Sequence, residues 1–282
     1  MSPRSTRRQG VLLLLPAALL LGAFFYLPQL LMLGVSLGKR SAYGGVVREL
    51  GAANYLRALE PLYLHILWRS LLLAAATTAL CLFVAYPVAW WLARRAPARW
   101  RNLLLTLVIL PFWTSFLVRM YAWIVLLRSE GVVNRGLAVL GLPGAELLYN
   151  DFAVLLGQVY GELPFMIVPL YVSLEKLDPA LLEAAADLGA GAWQAFRRVV
   201  LPQAMPGIAA GCVLVFIPSL GAYLAPDLLG GGKTAYVGNL IQSQFVVARD
   251  MPFGAALSFV LSLVVLLLLV AFRRPLRSAQ AL

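Results

Sequence analysis

Charged residues are scarce in this sequence. Asp, Glu, Lys and Arg make up 12% of its 282 residues, whereas hydrophobic residues make up 62%. Soluble domains carry roughly a quarter charged residues, so this chain cannot cover itself with a hydrated surface. Acidic residues are the rarer kind, with 12 Asp and Glu against 23 Lys and Arg. Because the basic residues flank apolar runs, they favour contact with anionic lipid headgroups over binding of nucleic acid.

Cysteine and histidine are almost absent. Cys81 and Cys212 lie inside apolar runs without a second ligand-type residue at metal spacing, and His65 has no companion nearby. Residues 230–234 end like a phosphate-binding loop, but Asp227 stands where that pattern requires glycine. We therefore predict that this chain is not an enzyme and binds no metal or cofactor.

Long apolar runs recur along the whole chain. A helix rises 1.5 Å per residue and needs about 20 apolar residues to cross roughly 30 Å of hydrocarbon. These runs predict an all-α membrane protein with six transmembrane helices in a single domain over 1–282. The predicted spans lie near 11–37, 68–93, 103–127, 152–174, 207–226 and 252–272.

The first run could be a signal peptide or a retained anchor. Its apolar part is too long for a signal peptide, and Phe24, Phe25 and Tyr26 stand where small residues should mark a cleavage site. We therefore expect the first run to remain in the protein as a membrane anchor.

Basic residues orient the predicted helices. With the N-terminus inside, thirteen Lys and Arg residues fall in the inner segments, whereas eight fall in the longer outer loops near 38–67, 128–151 and 227–251. Lys and Arg concentrate on the cytoplasmic side of membrane proteins. The distribution predicts that both termini are cytoplasmic.

The inner segment 178–206 is too long and too patterned for a plain connection. Asp178 followed by Pro179 is typical of a helix start, because the carboxylate accepts free backbone N–H groups and proline has no N–H to lose. Gly189 and Gly191 predict the end of that helix, since glycine adopts the left-handed conformation without steric cost.

A second short helix is expected after these glycines. Trp193 and Phe196 fall on one face of it, and Pro202 and Pro206 are expected to break it before the fifth span. Two short helices outside the bilayer, with an aromatic edge, would fit a groove on another protein.

The residues of this segment also follow a fixed spacing. Glu183-Ala184-Ala185 is followed by Gly189, then by Val199, and then by Leu201-Pro202. This pattern resembles the EAA loop of permease subunits in binding-protein-dependent ABC importers, with Val199 where the family often has isoleucine. Further stretches resemble the spermidine/putrescine branch of that family, among them Pro111–Thr114, Leu163–Phe165 and Pro218–Ala222.

The resemblance implies a type I importer permease fold with a cytoplasmic EAA coupling helix, in the bacterial inner membrane. The implied partners are a second similar permease subunit, two cytoplasmic ATPase subunits that use ATP and Mg, and an extracytoplasmic substrate-binding protein. The residues implied to couple to the ATPases are Glu183, Ala184, Ala185, Gly189, Trp193, Phe196, Leu201 and Pro202.

Other transporters remain as alternatives. Related branches of the family move iron, phosphonates or opines with similar permeases. A secondary transporter would carry its own coupling site, usually with broken helices in repeated halves, and the sequence shows no such repeat.

Two ionisable residues, Arg119 and Glu162, fall inside predicted spans. A central charge costs about 2.5 to 3.5 kcal/mol there, so such residues usually face a polar cavity or each other. Both lie at similar depth, counted from the outer ends of spans three and four. Two interpretations stay open: they form a tie between helices, or they flank the translocation path.

A polyamine cargo would give the second interpretation a chemistry. Glu162 and Asp227 would supply negative potential, and aromatic rings would hold methylene and ammonium groups through cation–π contacts. The positive charge of Arg119 opposes this interpretation unless it is neutralised. The residues expected along the path are Trp113, Arg119, Tyr121, Tyr160, Glu162 and Asp227.

Overall fold

Helices form nearly all of the regular structure, as expected where a backbone in lipid must satisfy its own hydrogen bonds. The computed structural model describes residues 15–41, 45–47 and 49–279, with backbone alone for 271–279. The chain divides into two units, residues 1–64 with 241–263 and residues 65–240 with 264–282. A single domain over the whole chain stays a prediction.

The first unit begins with helix α1, Leu15–Ser36, which contains a wide π turn at Gly22–Tyr26. None of its most apolar stretch is buried within the described part of the chain, as suits a helix in lipid. Residues 11–14 of the first predicted span, and the basic residues before them, lie outside the described residues. A short hairpin follows, in which β1, Lys39–Arg40, pairs antiparallel with β2, Val46–Val47.

Helix α2, Ala53–Ala58, and helix α3, Pro61–Arg94, come next. Asn54 ties α2 back to the preceding turn, because its amide donates to the carbonyl oxygens of Ser36 and Gly38. The 34 residues of α3 exceed the predicted span, and at about 1.5 Å per residue they are longer than the hydrocarbon core is thick.

The third predicted span, 103–127, is broken. Helix α4, Ala98–Ile109, continues as a tight turn to Trp113, and helix α5, Phe116–Leu127, comes next. The segment Phe116–Val139, which begins with α5, makes an angle of 89° with Ala98–Trp113. Among the described residues, five helices are long and apolar enough to cross a membrane alone, and this bent pair makes six if it crosses as one span. Helix α6, Val132–Val139, follows α5.

Helix α7, Asp151–Glu175, contains the fourth predicted span, 152–174, and is long and apolar enough to cross a membrane. Asn150 caps its start, where the side-chain oxygen accepts the N–H of Ala153 at 2.9 Å. The helix continues through Pro164 and Pro169, as proline is tolerated in membrane helices whose surroundings satisfy the freed carbonyl groups.

Helix α8, Pro179–Asp187, is the first helix predicted for the inner segment. The second is not a separate short helix. Helix α9, Ala192–Ala195, passes through a π turn at Phe196–Val200 directly into helix α10, Leu201–Gly221.

The prediction that Pro202 and Pro206 break the second short helix before the fifth span was therefore wrong. The N–H of Leu201 reaches back to the carbonyl of Phe196, so the turn before Pro202 is wider than an α-helical turn. Proline has no N–H to donate to the carbonyl group one turn earlier. Because the wide turn already leaves carbonyl groups without an α-helical partner, Pro202 is tolerated there. Pro206 is accommodated inside α10.

The remaining helices are α11, Leu224–Gly230, α12, Val237–Val246, and α13, Met251–Ala279. The helix of the fifth predicted span, 207–226, ends at Gly221, and α11 begins after a two-residue break. Gly231 and Gly232 have φ of 58° and 74°, which makes the stretch that mimics a phosphate-binding loop a left-handed turn after α11.

The core of the second unit lies largely between α7 and α10, which run antiparallel. Buried side chains from both helices form one cluster with the end of α3 and the loop after it. The members from α7 and α10 include Met166, Leu170, Leu174, Ala204 and Val215. This packing places the end of α3, the end of α7 and the start of α10 at one end of the unit.

Candidate functional site

The predicted turn of the EAA loop forms at Gly189. Asp178 caps the start of α8 by accepting the N–H of Ala180 at 2.9 Å. At the other end Gly189 has φ of 77°, and the N–H of Ala190 donates to the carbonyl of Ala185. A left-handed glycine with this bond is a Schellman C-cap. Gly191 has φ of −67° and begins α9, so the prediction of a second left-handed glycine was wrong.

The side chains of α8 leave a mixed surface free. Glu183 and Ala184 are exposed and Ala185 is half-buried. Leu188, at the end of the helix, is 88% exposed. An exposed apolar side chain at the end of a short helix that also carries an exposed carboxylate suits a contact with another protein.

A stacked aromatic pair, Trp193 of α9 and Phe196 of the π turn after it, links this surface to helix α3. Trp193 is 70% exposed and stacks on Phe196, with ring centroids 5.4 Å apart. Phe196 in turn meets the ring of Tyr86 on α3 edge to face at 5.7 Å. Leu201 is half-buried and Pro202 is exposed. We name the exposed group Glu183, Ala184, Leu188 and Trp193 the loop surface.

Sequence reasoning missed the contacts at the root of α8. The guanidinium of Arg94, the last residue of α3, donates to the carbonyl oxygen of Leu177 at 2.6 Å. Glu175, the last residue of α7, accepts from Tyr171 at 2.5 Å and from Arg101 at 3.4 Å. A backbone carbonyl carries no sequence signal, so the first of these bonds could not have been predicted.

Arg119 of α5 lies among aromatic rings. Among the described residues, no salt bridge joins it to Glu162. Two nitrogen atoms of Arg119 and one oxygen atom of Glu162 are buried without a hydrogen-bond partner. The rings within 6.0 Å of the Arg119 guanidinium are those of Phe112, Phe116 and Tyr160.

A second buried polar group lies one helical turn from Glu162. Gln158 is 2% exposed and accepts from Thr77 on α3 at 3.1 Å. Gly211 packs against Met166, and continuing that antiparallel register by two turns places Ser219 opposite Gln158. The Gln158 amide nitrogen and the Ser219 hydroxyl are both buried without a partner, and buried polar groups in lipid mark functional sites.

The other residues predicted for the path are exposed. Trp113, at the break between α4 and α5, is 85% exposed, and Tyr121 and Tyr160 are exposed as well. Tyr160 also meets Trp123 edge to face at 5.6 Å. Asp227 is exposed on α11, and no described bond joins its carboxylate to the other candidates.

Asp151, the first residue of α7, forms a salt bridge and a hydrogen bond that the sequence did not reveal. Arg69 of α3 donates to both carboxylate oxygens of Asp151, at 3.0 and 2.8 Å, and the hydroxyl of Tyr236 donates to the same carboxylate at 2.8 Å. Burial is the main cause that raises the pKa of Tyr236, and the hydrogen bond to Asp151 is the second. The phenol therefore stays protonated and keeps donating.

Comparison with known proteins gives one consistent family. Residues 85–274 match the model of the binding-protein-dependent transport system inner membrane component. The spermidine/putrescine transport system permease protein PotB of Escherichia coli K12 is 44% identical over 256 residues, which cover 90% of this chain and 93% of that protein. The inner membrane ABC transporter permease protein YdcU of the same strain is 37% identical, over 84% of this chain and 79% of that protein.

A solved structure shares the fold. A chain of a bacterial ABC transporter that imports the acidic polysaccharide alginate superposes with a TM-score of 0.79, over 98% of both chains and at 19% identity. Together with the helix-rich fold and the protruding loop, the family match over most of the sequence decides the assignment. The chain belongs to the family of inner membrane components of binding-protein-dependent transport systems.

Proposed function

We propose that this chain is one of two permease subunits in an ATP-driven importer of polyamines such as spermidine and putrescine. The observation that carries the proposal is the 44% identity to permeases named for spermidine/putrescine transport, over nine-tenths of the chain. The alternative cargoes within the family are iron, phosphonates and opines.

The loop surface is the proposed docking site for an ATPase subunit. It stands at the end of the unit where α3, α7 and the start of α10 meet, and the basic residues Arg95, Arg197 and Arg198 are exposed at the same end. Such an excess of Arg favours the cytoplasmic side, so both termini would be cytoplasmic. Glu183 would offer its carboxylate to a basic residue on the ATPase, which uses ATP and Mg.

Alternating access is the proposed mechanism. Closure of the two ATPase subunits would push the two EAA loops of the paired permeases together, and the membrane helices would repack so that the cavity opens toward the binding protein. Hydrolysis would reverse the change. This chain would contribute the moving helices and no catalytic group.

Aromatic rings and carboxylates would bind the cationic cargo along the membrane path. The side chains of Trp113, Tyr121 and Tyr160 are exposed, and aromatic rings attract ammonium groups. Glu162 would offset the charge of Arg119, and Asp227 would leave a net negative charge along the path. The uncompensated polar atoms of Arg119 and Glu162 support a polar cavity at this depth.

The experiment begins with the partner binding protein. Its ligand is identified by calorimetry with spermidine, putrescine, ferric iron and a phosphonate, and uptake of the bound solute is then measured in vesicles that contain the assembled importer. Uptake of polyamine that requires ATP supports the proposal. Binding of iron or phosphonate alone would favour the other branches, and uptake driven by a proton gradient without ATP would favour a secondary transporter.

A further inference from the structure

We infer that Arg94 is a positioning residue, which fixes the root of α8 to α3 so that movement of the EAA loop is transmitted to the membrane helices. The inference rests on the proposed function, because it concerns how force from an ATPase would enter the bilayer. It assigns the role to one hydrogen bond between a side chain and a backbone carbonyl.

Leu177 is held on two sides. Its side chain is buried in the core cluster that also contains Leu174, Leu92 and Ala93. Its carbonyl oxygen accepts from the Arg94 guanidinium at 2.6 Å. A charge-assisted hydrogen bond is about twice as strong as a neutral one. Leu177 is therefore fixed to the end of α3 by side-chain packing and by a hydrogen bond to its carbonyl oxygen.

A second anchor lies two residues earlier. Glu175 ends α7 and accepts from both Tyr171, one turn back, and Arg101, on α4. The salt bridge between Arg101 and Glu175 is partly exposed and contributes little by itself. It nevertheless joins α4 to the same joint, so helices α3, α4 and α7 converge on the root of α8.

The joint has little freedom of its own. Three residues, 176–178, separate the last residue of α7 from the first of α8, and Asp178 is engaged as the cap of α8. A flexible joint would let α8 swing without moving the membrane helices. With the carbonyl of Leu177 held by Arg94, displacement of the loop surface is passed to α3 directly.

The test compares side chains of similar length at position 94 in the assembled importer. Arg94→Met keeps the bulk and loses the donor, whereas Arg94→Lys keeps a cationic donor for the Leu177 carbonyl. Arg95→Met is the matched control, because Arg95 is exposed and makes no described side-chain bond. The readout is the number of solute molecules taken up per ATP hydrolysed in vesicles.

R94M is expected to lower uptake per ATP about tenfold, the factor that corresponds to losing one charge-assisted hydrogen bond. R94K is expected to retain most of the wild-type ratio, and R95M to equal it. Co-purification of the ATPase subunits with R94M shows that the complex has assembled. An R94M complex that assembles and transports with the wild-type ratio would overturn the inference.

Three further outcomes have separate meanings. Equal loss in R94M and R94K would also overturn the inference, because a donor alone would then not suffice. If the wild-type chain neither binds ATPase subunits nor takes up solute, the proposed function itself fails. If R94M does not assemble, Arg94→Gln, which keeps a shorter and neutral donor, serves as the milder probe and should lower the same ratio, and a wild-type ratio in R94Q would overturn the inference.

Discussion

Gly207 of α10 lies against the backbone of α7, where a Cβ at this glycine would come within 2.6 Å of the carbonyl oxygen of Pro169 and 2.5 Å of the Cβ of Ser173. Small residues let membrane helices approach closely, since lipid provides no hydrophobic force between them. Gly207 therefore permits the close packing of the two helices that carry Glu162 and the start of the fifth span.

Replacing Gly207 by alanine is expected to destabilise the protein by about 1 to 3 kcal/mol, the typical cost of forcing extra atoms into a packed site. Alanine otherwise favours helix over glycine by roughly 1 kcal/mol. Gly221→Ala is the matched control, because a Cβ there meets nothing within 4 Å. Thermal unfolding in detergent should show a lower midpoint for G207A and an unchanged or higher one for G221A. A G207A midpoint equal to that of G221A would contradict the packing account.

Gly189 and Gly191 provide a second matched pair, in one turn of the loop. Gly189→Val places a β-branched residue at φ of 77°, which costs on the order of 1 to 3 kcal/mol of strain. Gly191 has φ of −67°, so Gly191→Val carries no such strain. Solute uptake is expected to be abolished in G189V and preserved in G191V, while immunoblots of membranes show both proteins inserted. Normal uptake by G189V would count heavily against the role of the turn.

The charge balance in the membrane gives a third prediction. Glu162→Gln leaves Arg119 positive and unopposed, so we expect the KM for polyamine uptake to rise about tenfold or more, as for a change of 1.4 kcal/mol or more. Adding Arg119→Gln should restore part of that loss. Glu146→Gln, in an exposed position, is the control. Identical kinetics for E162Q and E146Q would show that Glu162 does not act on the cargo.

Much of the segment 178–206 could be predicted from sequence because its conformation is local. Asp178 caps a helix and Gly189 takes a positive φ for reasons that lie within a few residues of each. The candidate spans could be predicted for a similar reason, since apolar length and composition determine which helices are able to cross lipid.

The bend at Thr114 and Ser115 was missed, because an average over 20 residues hides two polar residues in an apolar run. Their extended backbone, with ψ of 149° and 134°, separates α4 from α5. Pro111, four residues before Ser115, was the available signal. The continuous helix through Pro202 was missed because a π turn has no clear sequence signature.

Contacts between distant segments were beyond sequence reasoning. The bond from Arg94 to the carbonyl of Leu177 and the salt bridge from Arg69 to Asp151 join positions 83 and 82 residues apart. Arginine at a helix end is equally consistent with a lipid headgroup contact. Only the packing of α3 against α7 selects the partner.

The most direct test asks whether the loop surface touches an ATPase. A photoreactive p-benzoylphenylalanine placed at Trp193 in the assembled importer is irradiated, and the products are analysed by immunoblot and mass spectrometry. The same residue at Val139, which is exposed on α6 at the opposite end of the second unit, is the control. We expect a covalent product with the ATPase subunit from position 193 and none from position 139. No such product from position 193, in a complex that transports, would contradict it.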